Sequence, residues 1–148
     1  MDVVALILWI LAAGGGFYLL ATWIAKGGAR PGAEGASRFP PAVIFGHFGL
    51  AAAGLVVWII YMIADVRALA WISFIVLVVV AVLGLTMLLR WVPSYRTQHQ
   101  AVGVKVGAGS STGAVVPAEA HFPVAVVGLH GLFAVATVVV VLLAALNV

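Results

Sequence analysis

Four stretches of this chain, roughly Val3–Ala25, Pro41–Ala64, Ala68–Val92 and Phe122–Leu146, are free of charged residues except for Arg90 near the end of the third. Each can cross the hydrocarbon core of a bilayer as a helix, which takes about 20 apolar residues. In that medium every backbone N–H and C=O must be paired within its own segment or in a closed barrel, and runs this long and continuously apolar fit only the helix. The expected fold is therefore all-α: a polytopic membrane protein with four transmembrane helices in a bundle. It forms a single domain over residues 1–148, with helices at about 3–25, 41–64, 68–92 and 122–146 and long loops at 26–40 and 93–121. Composition agrees. The chain is 66% hydrophobic and 7% charged, whereas a soluble domain carries about 25% charged residues.

The beginning of the chain does not read as a secretory signal. Met1-Asp2 offers no positive flank, and the first apolar run is much longer than a signal-peptide core. Only Asp65-Val66-Arg67 separates the second run from the third, so those two helices are expected to be antiparallel neighbours. Lys26, Arg30, Arg38, Arg90, Arg96 and Lys105 fall at or within the two long loops, and Arg67 alone lies on the other side. Positive residues favour the cytoplasmic face, which predicts a plasma-membrane protein with cytoplasmic long loops and both termini outside. Trp23, Trp91 and Tyr95 would then sit at the inner interface and Tyr61 and Trp71 at the outer one, with Trp9 deeper and packed on a neighbour. The net charge of +3 belongs to this topology and does not point to nucleic acid.

Several chemistries drop out. With no cysteine in the chain, disulfides, iron–sulfur clusters and thiolate metal sites are excluded. Gly107-Ala108-Gly109-Ser110-Ser111-Thr112 lacks the lysine of a phosphate-binding loop and opens no helix. Gly27–Arg38 reads as a flexible connector. The alternation in Val102–Val106 predicts one strand of a short hairpin turning at 107–113. Hydrolytic chemistry has little support, because Ser73, Ser110 and Ser111 have no evident base.

The most informative pattern is a repeat. Phe39-Pro40-Pro41-Ala42-Val43-Ile44-Phe45-Gly46-His47 returns as Phe122-Pro123-Val124-Ala125-Val126-Val127-Gly128-Leu129-His130, an offset of 83 residues (130 minus 47). Phe, Pro, Ala, Val and His recur in register, and the match extends to Ala51/Ala134 and Ala53/Ala136. Proline and histidine are scarce (6 and 4 in the chain), so their coincidence carries the weight. The reading is of two parallel helical-hairpin repeats, with sites expected at the repeat interface. Each histidine follows its proline by seven residues, about 10 Å along a helix, so His47 and His130 share one depth. If their helices are diagonal, the two rings face each other across the bundle.

Small residues surround them. Ala51 and Ala134 lie four residues on and Gly54 and Thr137 seven on, positions that share the histidine's face, while Gly46, Gly49, Gly128 and Gly131 are close by. Paired imidazoles at equal depth, in cleared space, suit a flat cofactor, with haem b ligated from both sides. The candidate axial ligands are His47 and His130; Gly46, Gly49, Ala51, Gly54, Gly131, Ala134 and Thr137 form the candidate pocket walls. Gly14-Gly15-Gly16 suggests close helix packing about one turn deeper, and Gly84-Leu85-Thr86 is placed to complete the wall. Structural histidines that hydrogen-bond across helices are an equally serious reading, since small residues at a helix interface serve packing. His99 and His121 are expected to be interfacial polar residues; nine residues separate His121 from His130, which puts it on the opposite helix face.

The segment His121–Thr137 resembles a run in small uncharacterised actinobacterial four-helix membrane proteins. That resemblance implies the four-helix fold and no particular activity. In arrangement the histidine pair is similar to the haem b anchors of succinate dehydrogenase-type complexes, which implies a link to quinone. Three functions remain on the sequence alone: a haem b electron-transfer or anchor subunit, a non-redox accessory subunit of a larger membrane complex, and a small transporter or proton pathway. The last is disfavoured by the absence of any intramembrane carboxylate. All histidines lie toward one side, so one cofactor depth is available. That predicts an anchor or a relay to quinone that works with other membrane subunits or as a homo-oligomer, and is not a stand-alone enzyme.

Overall fold

The computed structural model describes residues 1–30, 37–104 and 116–147. Four helices are present: α1 (Asp2–Ala25), α2 (Pro41–Ala64), α3 (Arg67–Val104) and α4 (Val124–Leu146), with a 3-10 turn at Ala118–His121 before α4. All four are long and apolar enough to cross a membrane, and they pack as a bundle.

The helix ends follow from local chemistry. Pro40 and Pro123 precede α2 and α4 in almost the same extended conformation, with φ/ψ of −62°/128° and −65°/127°. A proline lacks the N–H that a helix start leaves unpaired, and each carbonyl accepts from the fourth residue on, Ile44 and Val127. At the far end of α1, Gly27 adopts φ +84°, its N–H donates to the Ile24 carbonyl, and the Gly28 N–H donates to the Trp23 carbonyl. This is a Schellman stop, which needs the left-handed conformation that glycine supplies. A Cβ at Gly28 would also collide with the Trp23 indole.

Helix α3 departs from the sequence expectation. It does not stop at Val92, and the connection does not begin at residue 93: the helix runs on through Pro93 to Val104. An internal proline removes one backbone hydrogen bond and strains the turn before it. Hydroxyls bond back to the helix on either side, Ser94 to the Arg90 carbonyl (3.3 Å) and Thr97 to the Pro93 carbonyl (2.9 Å), though neither reaches the Leu89 carbonyl that Pro93 leaves without its N–H. Residues 102–104 are consequently helical, in place of the expected strand, and 105–113 lie outside the described residues.

Helix α1 packs most extensively on α4, and α2 on α3. The α3–α4 seam is sparser and the α1–α2 seam sparser still. Among the described residues no Cα atoms of α2 and α4 approach within 8 Å, so these two helices are diagonal, as are α1 and α3. The interior forms two plugs. One gathers Ala5, Trp9, Trp58, Tyr61, Leu77 and Val141 toward the end with the short 65–66 connection. The other gathers Trp23, Phe39, Ile44, Trp91, Ala118 and Phe122 toward the end with the long connections. Trp23, Trp91 and Tyr61, expected as an interfacial belt, are instead buried in these plugs.

Candidate functional site

Between the plugs lies a cavity of about 510 Å³, and both histidines line it. His47 projects from α2 and His130 from the diagonal α4; their ring centres are 6.2 Å apart with planes inclined at 63°. Each ring is anchored to the helix that packs against its own. His47 Nδ1 lies 3.0 Å from the Val80 carbonyl oxygen of α3, and His130 Nδ1 lies 2.8 Å from the Ala12 carbonyl oxygen of α1. A carbonyl can only accept, so Nδ1 carries the proton in both rings. In the neutral imidazole Nε2 then holds the free lone pair.

The glycines explain how a ring reaches a carbonyl that is already bonded within its own helix. The carbonyl of residue i is paired with the N–H of residue i+4, so an approaching ring must pass close to that residue. Four residues after Val80 is Gly84, where a Cβ would lie 3.1 Å from His47 Cε1. Four residues after Ala12 is Gly16, where a Cβ would lie 3.2 Å from His130 Cε1. Gly15 adds to the second approach, with its Cβ position 3.3 Å from His130 Cβ. The two imidazoles are therefore seated alike: a carbonyl at i, a glycine at i+4, on a neighbouring helix.

Of the residues expected to wall the site, Ala51, Gly131, Ala134 and Thr137 line the cavity. Gly46, Gly49 and Gly54 do not. Gly46 and Gly49 stand one residue before and two after His47, about 100° and 200° round the helix, and a Cβ at either would meet nothing within 4 Å. Gly54 does lie on the histidine's side but belongs to the plug below, where a Cβ would lie 3.1 Å from both Trp9 and Val76. Of the α1 glycines, expected about a turn deeper, Gly15 and Gly16 reach His130 itself, while a Cβ at Gly14 would meet nothing within 4 Å. Gly84 and Leu85 line the cavity, while Thr86 is exposed with its hydroxyl on the Leu83 carbonyl (2.7 Å). The Thr137 hydroxyl is likewise satisfied within its helix by the Phe133 carbonyl, at 2.7 Å. His121 is exposed, its Nδ1 3.3 Å from the Ala118 carbonyl, and takes no part; the side chain of His99 lies outside the described residues. Among the described residues no three His, Cys, Asp or Glu side chains converge on a metal site.

One group escaped the sequence reading altogether. Glu119, in the 3-10 turn, is fully buried. Its Oε1 accepts from the Arg38 N–H (2.7 Å) and its Oε2 from the Ser37 hydroxyl (2.8 Å). Its backbone carbonyl accepts from the Trp91 indole N–H (3.0 Å). Nothing in a lone acid within a polar connection signals such a role.

The fold defines the class: a multi-pass membrane bundle of four helices. Comparison of the chain with known protein families, with curated proteins and with solved structures finds no match.

Proposed function

We propose that this protein is a membrane haem b protein in which His47 and His130 are the axial ligands and the cavity between the plugs holds the porphyrin. The observation that carries the reading is the pair of imidazoles fixed by their Nδ1 protons, with both Nε2 lone pairs left for a metal. Hydrogen bonding at the second ring nitrogen is how proteins set the tautomer and orientation of metal-binding histidines. The placement supports it as well. The two imidazoles come from diagonal helices and meet across one cavity, so they are placed to hold a single group between them. Their ring centres are 6.2 Å apart.

The cavity volume, about 510 Å³, lies within the roughly 300–1,000 Å³ of small-molecule and cofactor sites. The wall is almost wholly apolar apart from the two imidazoles and Thr137, as suits a flat hydrophobic cofactor. Haem with both axial positions taken would supply one-electron exchange between ferric and ferrous iron. The chain's part is to hold the iron through two rings, to exclude water with an apolar wall, and to fix the rings through Val80 and Ala12. A single cofactor depth suits a relay to a lipid-soluble quinone or an anchor for a partner subunit, and the excess of positive residues at the long connections favours a cytoplasmic location for them. A C-terminal alkaline phosphatase fusion that is inactive while a C-terminal fluorescent fusion lights up would reverse that orientation.

A second reading rests on the cavity's sides. Phe17, Leu85 and Val135 line it and are also 56%, 54% and 65% exposed, so it reaches the lipid-facing surface. A lipid chain could occupy it, and the protein would then be a non-redox accessory subunit.

The deciding measurement is the absorption spectrum of detergent-solubilised protein made with ample haem, first oxidised and then reduced with dithionite. A sharp reduced α-band is expected, lost in His47→Ala and in His130→Ala. A colourless, well-folded wild type rejects haem and leaves the lipid-filled subunit, which should carry a chain detectable by mass spectrometry of the purified protein.

A further inference from the structure

Glu119 is a fully buried acid placed behind the cavity wall. Ser37, its partner, accepts at its oxygen from the Trp23 indole N–H (2.9 Å) and from the Phe39 N–H (3.0 Å). A hydroxyl oxygen has two lone pairs and one proton. Both lone pairs are occupied, so the proton goes to Glu119 Oε2. The Arg38 N–H goes to Oε1, and both carboxylate oxygens are therefore acceptors. The arrangement fits the ionised carboxylate, which hydrogen bonds to its charged form stabilise. Both donors to the carboxylate are neutral groups; the cation nearest in the network is the Arg90 guanidinium, which donates to the Arg38 carbonyl (3.0 Å) and is not bonded to the carboxylate itself.

The surroundings of the carboxylate include one wall of the cavity. Trp23, Phe39 and Trp91, all held by the Ser37–Glu119 network, line it. Through a low-dielectric interior the field of a buried charge falls off slowly. We propose that Glu119 stays ionised and that its charge poises the redox potential of the site, favouring the oxidised cofactor. This rests on the haem reading. Ferric iron in a porphyrin between two neutral imidazoles carries one more positive charge than ferrous iron, so a fixed negative charge nearby stabilises it and lowers the potential. Glu119 acts as a positioning and electrostatic residue and touches no reacting atom.

The test is a potentiometric titration of the wild type, Glu119→Gln and Glu119→Asp in detergent, with mediators as electron donors and acceptors. Glu119→Gln removes the charge and keeps the shape, and is expected to titrate at a higher potential. Glu119→Asp keeps the charge and should stay near the wild type. Equal potentials for Glu119→Gln and the wild type overturn the inference, as does an equal shift in both variants, which would make the effect one of packing. If Glu119→Gln fails to hold haem, isotope-edited infrared spectra of otherwise wild-type protein, taken separately in the oxidised and reduced states, decide. The only other glutamate is Glu34, so ¹³C-glutamate labelling in a Glu34→Gln background isolates Glu119. Carboxylate bands in both redox states are expected, and a protonated carboxyl band overturns the proposal. A colourless wild type removes the haem reading and this inference together, whereas a coloured wild type with an unmoved Glu119→Gln removes this inference alone.

Discussion

At the scale of single residues, the site depends on where side chains are missing as much as on the imidazoles. Gly84 is the sharpest case, because a Cβ there would lie 3.1 Å from His47 Cε1 and the ring has its Nδ1 committed to the Val80 carbonyl. Gly84→Val should push the ring off that carbonyl at an overpacking cost of about 1–3 kcal/mol. Gly46→Ala, where the Cβ meets open space, should be neutral or slightly stabilising, since alanine is favoured over glycine in a helix by up to about 1 kcal/mol. Thermal unfolding in detergent, with haem content per protein measured alongside, checks both. Equal stability and equal haem content in the two variants would remove the seating role assigned to Gly84. The histidine pair was legible in the sequence because proline and histidine are rare and recur in register. The carbonyl–glycine seats were not, since the four-residue spacings Ala12–Gly16 and Val80–Gly84 acquire meaning only once it is known which helix lies against which ring. Glu119 gave no signal for a similar reason: its partners Ser37 and Arg38 are 82 and 81 residues away in sequence.

At the scale of helices, apolar run length identified four elements, because a bilayer imposes that length and forbids unpaired backbone. It identified only one neighbour relation, the α2–α3 hairpin, which its short turn enforces. The close packing of α1 on α4 unites the first and last helices, and nothing in an evenly apolar helix marks the face that will do this. Helix α3 also outran its apolar segment, since beyond the membrane a helix needs no hydrophobic signal. The α1–α4 pairing can be tested covalently, because the chain has no cysteine of its own. The Cβ position at Gly15 is 3.3 Å from His130 Cβ, close to the roughly 3.5–4.5 Å that a disulfide spans. Gly15→Cys with His130→Cys should therefore cross-link on mild oxidation and migrate faster on a denaturing gel. Gly15→Cys with Gly46→Cys should remain open, as a Cβ at Gly46 meets no other residue. Cross-linking of the second pair and not the first would overturn the helix arrangement.

For the molecule as a whole, the question is why a bundle this apolar should be built as two plugs with a void between them. Because the cavity opens to the lipid-facing surface at Phe17, Leu85 and Val135, either a bound cofactor or a lipid chain can fill it. Filling the void therefore separates the two readings of function. Ala51 and Ala134 are matched positions in the sequence repeat, one turn beyond each histidine, and both line the cavity. Phenylalanine at either would occupy part of the cavity. If the cavity is only a packing defect or a lipid recess, Ala134→Phe should stabilise the protein, cavity-filling commonly contributing about 0.5–2 kcal/mol, and change nothing else. If the cavity is the haem site, the same substitution should stabilise the haem-free protein by a similar amount while abolishing the reduced α-band. It should also abolish the stabilisation that added haem confers, which by mass action reaches about 2.7 kcal/mol at a concentration 100-fold above the dissociation constant. Unfolding midpoints of wild type and Ala134→Phe, each with and without haem, give the answer in one experiment: gain without loss makes the void incidental, and gain coupled to loss of haem makes it the reason for the fold.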